Sequence, residues 1–258
     1  MAVGQALVET RALIKQFGPV TAVNGISFTV GRGEVVGFLG PNGAGKSTTM
    51  KIIAGFLEPT SGEAFVAGHD SQRDPIAARR HLGYLPEGAP AYPDMTVADF
   101  LAFVASMRGL SAREGQRRLA ELVESIDLAE VWNRRIEALS KGYKRRVGIA
   151  QALVHDPDVL ILDEPTDGLD PNQKHEMRAL IRTLAPTKAI IVSTHILEEV
   201  EAICTRAIVI ARGKMLADGT PAEFLAQAPH RDESVPQLVR AAPREDAFRH
   251  ITLDQAGV

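Results

Sequence analysis

Apolar residues along this chain follow two alternating patterns. Short runs closed by turn residues read as strands, and stretches with apolar positions every three or four residues read as helices. Residues 7–14 give a first strand, followed by a loop at Gln16-Phe17-Gly18-Pro19. Residues 26–30 and 34–39 flank Gly31-Arg32-Gly33, which predicts a tight turn between antiparallel strands. Residues 58–63 form a turn cluster, 64–67 a short strand, and Gly68-His69-Asp70 another turn. A strand over 82–87 stops at Pro86, and 88–94 is too rich in Pro and Gly for regular structure. From 96 to 129 the period turns helical: Val97, Phe100, Leu101 and Val104 share one face, as do Leu119, Leu122, Val123 and Ile126. Residues 159–162 are a continuous apolar run, the pattern of a strand buried on both faces. Asp170-Pro171-Asn172-Gln173 opens a helix, with Asp as N-cap and Pro at the first helical position, and Met177, Leu180, Ile181 and Leu184 make its buried stripe. A strand over 189–192, a hairpin around Arg212-Gly213 and a short helix capped by Thr220-Pro221-Ala222-Glu223 complete the pattern.

These elements describe an α/β protein. A parallel sheet with flanking helices forms its core, with an N-terminal antiparallel β subdomain and an α-helical subdomain (about 88–155) inserted into it. A chain of 258 residues with 45% hydrophobic content can bury a large core. Its formal net charge of −3 gives no global attraction to nucleic acid. No apolar run approaches the roughly 18 to 20 residues of a membrane span, and no charged-apolar-small leader opens the sequence, so no secretory signal is expected. Cys204 is the single cysteine, which fits a reducing cytoplasm and a small core residue. His69 has no carboxylate or second histidine at ligand spacing in the sequence and reads as a surface residue.

Chemistry concentrates at a few places. Gly40-Pro41-Asn42-Gly43-Ala44-Gly45-Lys46-Ser47 fits G-x-x-x-x-G-K-[ST], after a strand and before a helix that begins near Ser47-Thr48. Its glycines let successive N–H groups turn inward on phosphate oxygens, Lys46 reaches the β- and γ-phosphates, and Ser47 ligates Mg²⁺. The chain is therefore expected to bind a nucleoside triphosphate. The 159–162 strand ends in Asp163-Glu164, a Walker B pattern in which Asp163 holds the Mg²⁺ shell and Glu164 acts as general base or orients the attacking water. His195 closes the 189–192 strand, within reach of a γ-phosphate or of the Asp163/Glu164 region. Ser140 caps a helix behind the basic run Lys141-Gly142-Tyr143-Lys144-Arg145-Arg146, which on its own reads as a solvated face or as an anion site. Phe17 lies in a loop upstream, where it either packs or offers a π-face to a base.

In this order the motifs resemble the nucleotide-binding subunit of an ABC transporter over roughly residues 5–225. Leu139-Ser140-Lys141-Gly142 is similar to that family's Leu-Ser-Gly-Gly signature. The resemblance implies an ATPase domain over 1–227 that uses ATP and Mg²⁺, and a homodimer closing head to tail around two ATP. Each ATP would lie between one chain's P-loop and the other's Ser140, Lys141 and Gly142. Phe17 becomes the adenine-stacking aromatic, Asp167-Gly168-Leu169-Asp170 the loop that communicates across the dimer, and His195 the γ-phosphate switch. Tyr84-Leu85-Pro86-Glu87, Leu-Ser-Lys-Gly-Tyr at 139–143 and Ser-Thr-His-Ile-Leu at 193–197 are similar to ABC-2-type exporters of the gliding-motility, multidrug and polysaccharide groups. A separate integral membrane permease and a place on the cytoplasmic face of the membrane follow from that likeness. The alternative is a soluble ABC ATPase acting as a nucleotide-switched scaffold, as in cluster assembly. Three departures stand out. Glu87 replaces the glutamine that most of the family has at a position contacting Mg²⁺ and the attacking water. Lys141 replaces the first signature glycine, either adding charge near the γ-phosphate or pointing into solvent. The tail at 228–258, rich in Pro and charge, is expected to be poorly ordered or an accessory remnant.

Overall fold

The structure is a computed structural model that describes residues 6–226. The chain runs β1 (Ala6–Phe17), β2 (Val20–Gly31), β3 (Val35–Leu39), α1 (Lys46–Ile53), β4 (Ser61–Val66), β5 (His69–Asp70), α2 (Pro75–Arg80), β6 (Leu82–Leu85), α3 (Val97–Met107), α4 (Ala112–Ser125), α5 (Lys141–Leu153), β7 (Val159–Asp163), α6 (Pro171–Leu184), β8 (Ala189–Thr194), α7 (Leu197–Ile203), β9 (Arg206–Ala211), β10 (Lys214–Gly219) and α8 (Pro221–Ala226). A sheet of order β10-β9-β3-β8-β7-β6 forms the centre, and a second, antiparallel sheet has the order β2-β1-β4-β5. In the central sheet β3 pairs in parallel with β8 and β9, and β7 with β6 and β8; only the edge strand β10 runs antiparallel. Strands β3, β7 and β8 are buried along their whole length, which is why they read as unbroken apolar runs.

One face of the central sheet packs with α1 and the antiparallel sheet around Val36, Phe38, Ile52, Ile161 and Ile191. The other face carries α3 to α6 through Leu85, Leu101, Val147, Ile149, Leu162 and Ile181. Helices α3, α4 and α5 all fall between the adjacent strands β6 and β7. Each begins at a side-chain cap: Thr96 accepts from Asp99 N, Ser111 forms a full capping box with Glu114, and Ser140 accepts from Tyr143 N. Parallel strand ends bring β3, β7 and β8 to one edge, where their following loops converge.

Three sequence expectations need correction. Gly31-Arg32-Gly33 does not turn one antiparallel strand into the next: β2 belongs to the antiparallel sheet and β3 to the central one. The link is held to the central layer by Gly33 N donating to Lys188 O at 2.9 Å. Phe17 is not in a loop; it ends β1, opposite Val20, with only Gly18-Pro19 turning between the strands. His69 does have partners, for its ring stacks on His81 at 5.6 Å and its Nδ1 lies 3.2 Å from Asp74. Cys204 packs its Sγ on Gly37, and burial pushes the thiol up to about 12. The tail at 228–258 lies outside the described residues.

Candidate nucleotide site

The glycine-rich loop leaves the end of β3 and enters α1 through two positions that only glycine fits. Gly45, the residue before the helix, has φ +108°, and a Cβ there would run into Ala22 O; a Cβ at Gly40 would run into Ile210 O. The loop is braced from outside, with Gly213 N donating to Ala44 O at 2.9 Å and Asn24 N to Gly213 O at 2.8 Å. Lys46 folds back over it, its Nζ donating to Gly40 O at 2.6 Å and to Pro41 O at 3.3 Å. Because Gly45 brings no side chain, the first N–H groups of α1 are uncapped and available to an anion.

Across from this loop, the ends of β7 and β8 are locked by one serine. Asp163 is 1% exposed and sits in register with Ser193. Ser193 Oγ donates to Asp163 Oδ1 at 2.6 Å and accepts from Glu164 N at 2.9 Å. Ser47 Oγ donates to the same Asp163 oxygen at 3.0 Å, joining the loop to the strand. Glu164 has φ +49°, a left-handed conformation that costs a non-glycine residue about 1–2 kcal/mol. Its carboxylate lies 3.7 Å from Lys46 Nζ and 3.2 Å from His195 Nδ1. Burial raises the Glu164 carboxyl above the usual carboxylate range, against the pull of Lys46 and His195. Burial likewise lowers the Lys46 ammonium, with Glu164 and Asp163 opposing the shift.

Pro41, Asn42, Gly43, Ala44, Gly45, Lys46, Ser47, Thr48, Glu87, Glu164, Asp167 and His195 line one cleft of about 330 Å³, with Ala22 at its rim. Asp163 and Gly40 support it from behind, through Ser47 and Lys46 respectively. A Mg²⁺ ion fits this donor set: a serine hydroxyl and a carboxylate stand side by side, Glu87 lines the same cleft, and this cation takes one or two carboxylates beside phosphate and water oxygens.

Phe17, Ser140, Lys141, Gly142 and Asp170 are not in the cleft lining. Phe17 is 48% exposed at the hairpin end, with Lys15 Nζ 5.1 Å from its ring centre. Ser140 and Asp170 cap α5 and α6. Gly142 packs on the Gln173 side chain, and Lys141 lies against the turn at Gly168. Residues 140–142 thus contact the 168–173 segment, which follows directly on Asp167 of the cleft lining.

Two participants escaped the sequence reading. Ser193 follows the apolar run of β8 directly, and a hydroxyl two residues before His195 was a legible signal. Arg145 was read within a solvated basic run, yet it is 6% exposed. Its signal was helical spacing, because Gly142, Arg145 and Ile149 repeat at i, i+3 and i+7 and all three are buried.

Comparison with known proteins shows the family. The family model described as ABC transporter matches residues 23–167. A curated relative from Burkholderia lata, "Nod factor export ATP-binding protein I", is 41% identical over 84% of this chain and 71% of its own length. The "Probable multidrug ABC transporter ATP-binding protein YbhF" of Escherichia coli is 37% identical over 92% of this chain; the chain spans only 41% of that relative's length. A solved ATP-binding subunit of an ABC transporter superposes with a TM-score of 0.81 at 31% identity, covering 95% of this chain and 99% of the other.

Proposed function

The chain belongs to the ABC transporter family, as its ATP-binding domain, and from that premise we propose that it hydrolyses ATP to power an ABC-2-type exporter. It works as a homodimer on the cytoplasmic face of the membrane, beside a separate permease. The observation that carries the ATPase reading is the convergence in one cleft of the uncapped α1 N-terminus, Lys46, the Ser47–Asp163 contact and the Glu164–His195 pair. The β- and γ-phosphates take the N–H groups of residues 43–48, and Lys46 exchanges its loop carbonyls for phosphate oxygens. Ser47, Asp163 and Glu87 would hold Mg²⁺, which would neutralise phosphate charge when bound. Glu164 accepts the proton of the attacking water, and its raised carboxyl suits a group that must take one. His195 orients Glu164 and reports the γ-phosphate. Phe17, with one open face, takes the adenine.

The exporter part is supported by the relatives named for multidrug transport and Nod factor export. No helix among the described residues is long and apolar enough to cross a membrane. A groove of about 440 Å³ beside the Glu87 loop, lined by Phe56, Tyr84, Pro86, Pro90 and Arg108 among others, supports a docked membrane subunit. Exposed apolar side chains at Tyr92, Phe103 and Met107 lie on the same helical block. Closure of the dimer on ATP would reach this groove through Glu87 and α3. The testing variant is Glu164→Gln, expected to bind ATP, lose hydrolysis, and elute on size exclusion as an ATP-dependent dimer. A variant that hydrolyses normally, or stays monomeric in ATP, overturns the assignment.

A further inference from the structure

Arg145 is a buried cation with no hydrogen-bonded or ion-paired partner among the described residues. It is 6% exposed, and its Nη1 is enclosed without a hydrogen bond. Burying a guanidinium in that way is costly unless surrounding negative charge offsets the loss of water. The carboxylates acting on it are Asp167, Glu87, Asp163 and Glu164, in that order. Helix packing explains how it comes to be there. Three residues further along α5, Gly148 is pressed against Leu85 and Ala89; a Cβ there would lie 2.5 Å from Leu85 Cδ1 and 3.0 Å from Ala89 Cβ. Residues three apart share a helix face, so Arg145 is carried on the face that meets the segment bracketing Glu87.

Charge balance gives this placement a purpose. Glu87, Asp163, Glu164 and Asp167 crowd around the cleft, with Lys46 as the cation inside it. A neutral glutamine at 87, as in the wider family it resembles, would leave one negative charge fewer. We propose that Arg145 is a positioning residue that supplies the counter-charge for Glu87, so that the two together set the turnover and Mg²⁺ dependence of the site and couple α5 to the Glu87 loop. This inference rests on the ATPase reading above.

The experiment is a double-mutant cycle on the full chain: wild type, Arg145→Gln, Glu87→Gln and the combined variant, with Arg145→Lys as the charge-conserving control. ATPase rate is measured against Mg²⁺ concentration, and thermal melting is followed in parallel. Arg145→Gln is expected to lower kcat roughly tenfold and raise the half-saturating Mg²⁺, while adding Glu87→Gln recovers most of both. Arg145→Lys should fall between wild type and Arg145→Gln. Additive losses overturn the proposal, as does an Arg145→Gln variant whose melting temperature drops while its kcat and Mg²⁺ profile stay at wild type. A wild type that binds ATP without hydrolysing it overturns the ATPase reading instead. The coupling is then read from Mg²⁺-dependent binding of a fluorescent ATP analogue to the same proteins, where additivity again refutes it.

Discussion

Ser193 shows how one side chain can hold a site together without touching the reactants. Its oxygen lies between Asp163 Oδ1 and Glu164 N, so it fixes a carboxylate and the strained backbone of the next residue at once. Removing it leaves a buried carboxylate oxygen with one hydroxyl instead of two and an amide without its acceptor, costing about 1–3 kcal/mol. Ser193→Ala is therefore expected to reduce kcat by roughly tenfold or more while changing KM for ATP little, because the P-loop amides are untouched. Steady-state kinetics check this, and an unchanged kcat would remove Ser193 from the account. At this scale the sequence was informative where a motif spans contiguous residues, as from Gly40 to Ser47. It was weak where one residue acts across strands: the position of Ser193 before His195 marks it as a candidate, but its pairing with Asp163, thirty positions away, has no local sign. Arg145 was obscured for another reason, because three neighbouring basic residues made its helix face look solvated.

Elements were legible wherever burial imposes a simple period. Strands β7 and β8, buried on both faces, and α3, buried on one, fall where the pattern put them. The link from β2 to β3 was misread because a glycine turn between two apolar runs has the same local signature whether it closes a hairpin or carries the chain between sheets; only the pairing of β3 with β8 and β9 decides. The α5–β6 contact has a measurable consequence at its far end. His155, just beyond α5, donates Nε2–H to Leu82 O at 3.0 Å, while its Nδ1 is buried without a hydrogen-bond partner among the described residues. Burial and the Arg108 charge push this histidine down to about 4 from 6.5. The fold therefore favours the neutral ring. That stability is fully present above the unfolded value of 6.5 and is lost as pH falls through the window toward 4, on the order of 2 kcal/mol by pH 5. His155→Gln, which keeps a donor for Leu82 O but cannot titrate, should melt with a visibly flatter pH dependence between pH 7 and 5. Equal slopes for the two proteins, by calorimetry, would place the acid sensitivity elsewhere.

At the scale of the whole molecule, the division of predicted residues between two surfaces is the main result. The cleft holds the P-loop, Glu87, Glu164 and His195, while Ser140, Lys141, Gly142 and Asp170 gather with Gln173 on another surface of the same chain. The family resemblance already implies this division, with each ATP between one chain's P-loop and the other's Ser140 segment. Within one chain, Ser140, Lys141, Gly142 and Asp170 are not among the residues that line the cleft. In the proposed homodimer a second copy would supply the other half, each cleft facing the other chain's Ser140 segment across a two-fold axis. This arrangement predicts complementation between two inactive proteins. Lys46→Ala disables a chain's own cleft, and Ser140→Arg disables the cleft of its partner. In a mixed dimer one site carries both defects and the other carries neither. Equal mixing should therefore restore roughly a quarter of wild-type ATPase activity, since half the dimers are mixed and one of their two sites is whole. Activity that stays at background on mixing, with mixed dimers verified by affinity tagging, would mean that the Ser140 segment serves its own chain or that the two sites turn over only together; crosslinking a cysteine at Ser140 to one at Asn42 then separates these, because the head-to-tail dimer gives the link between chains and the alternative within one.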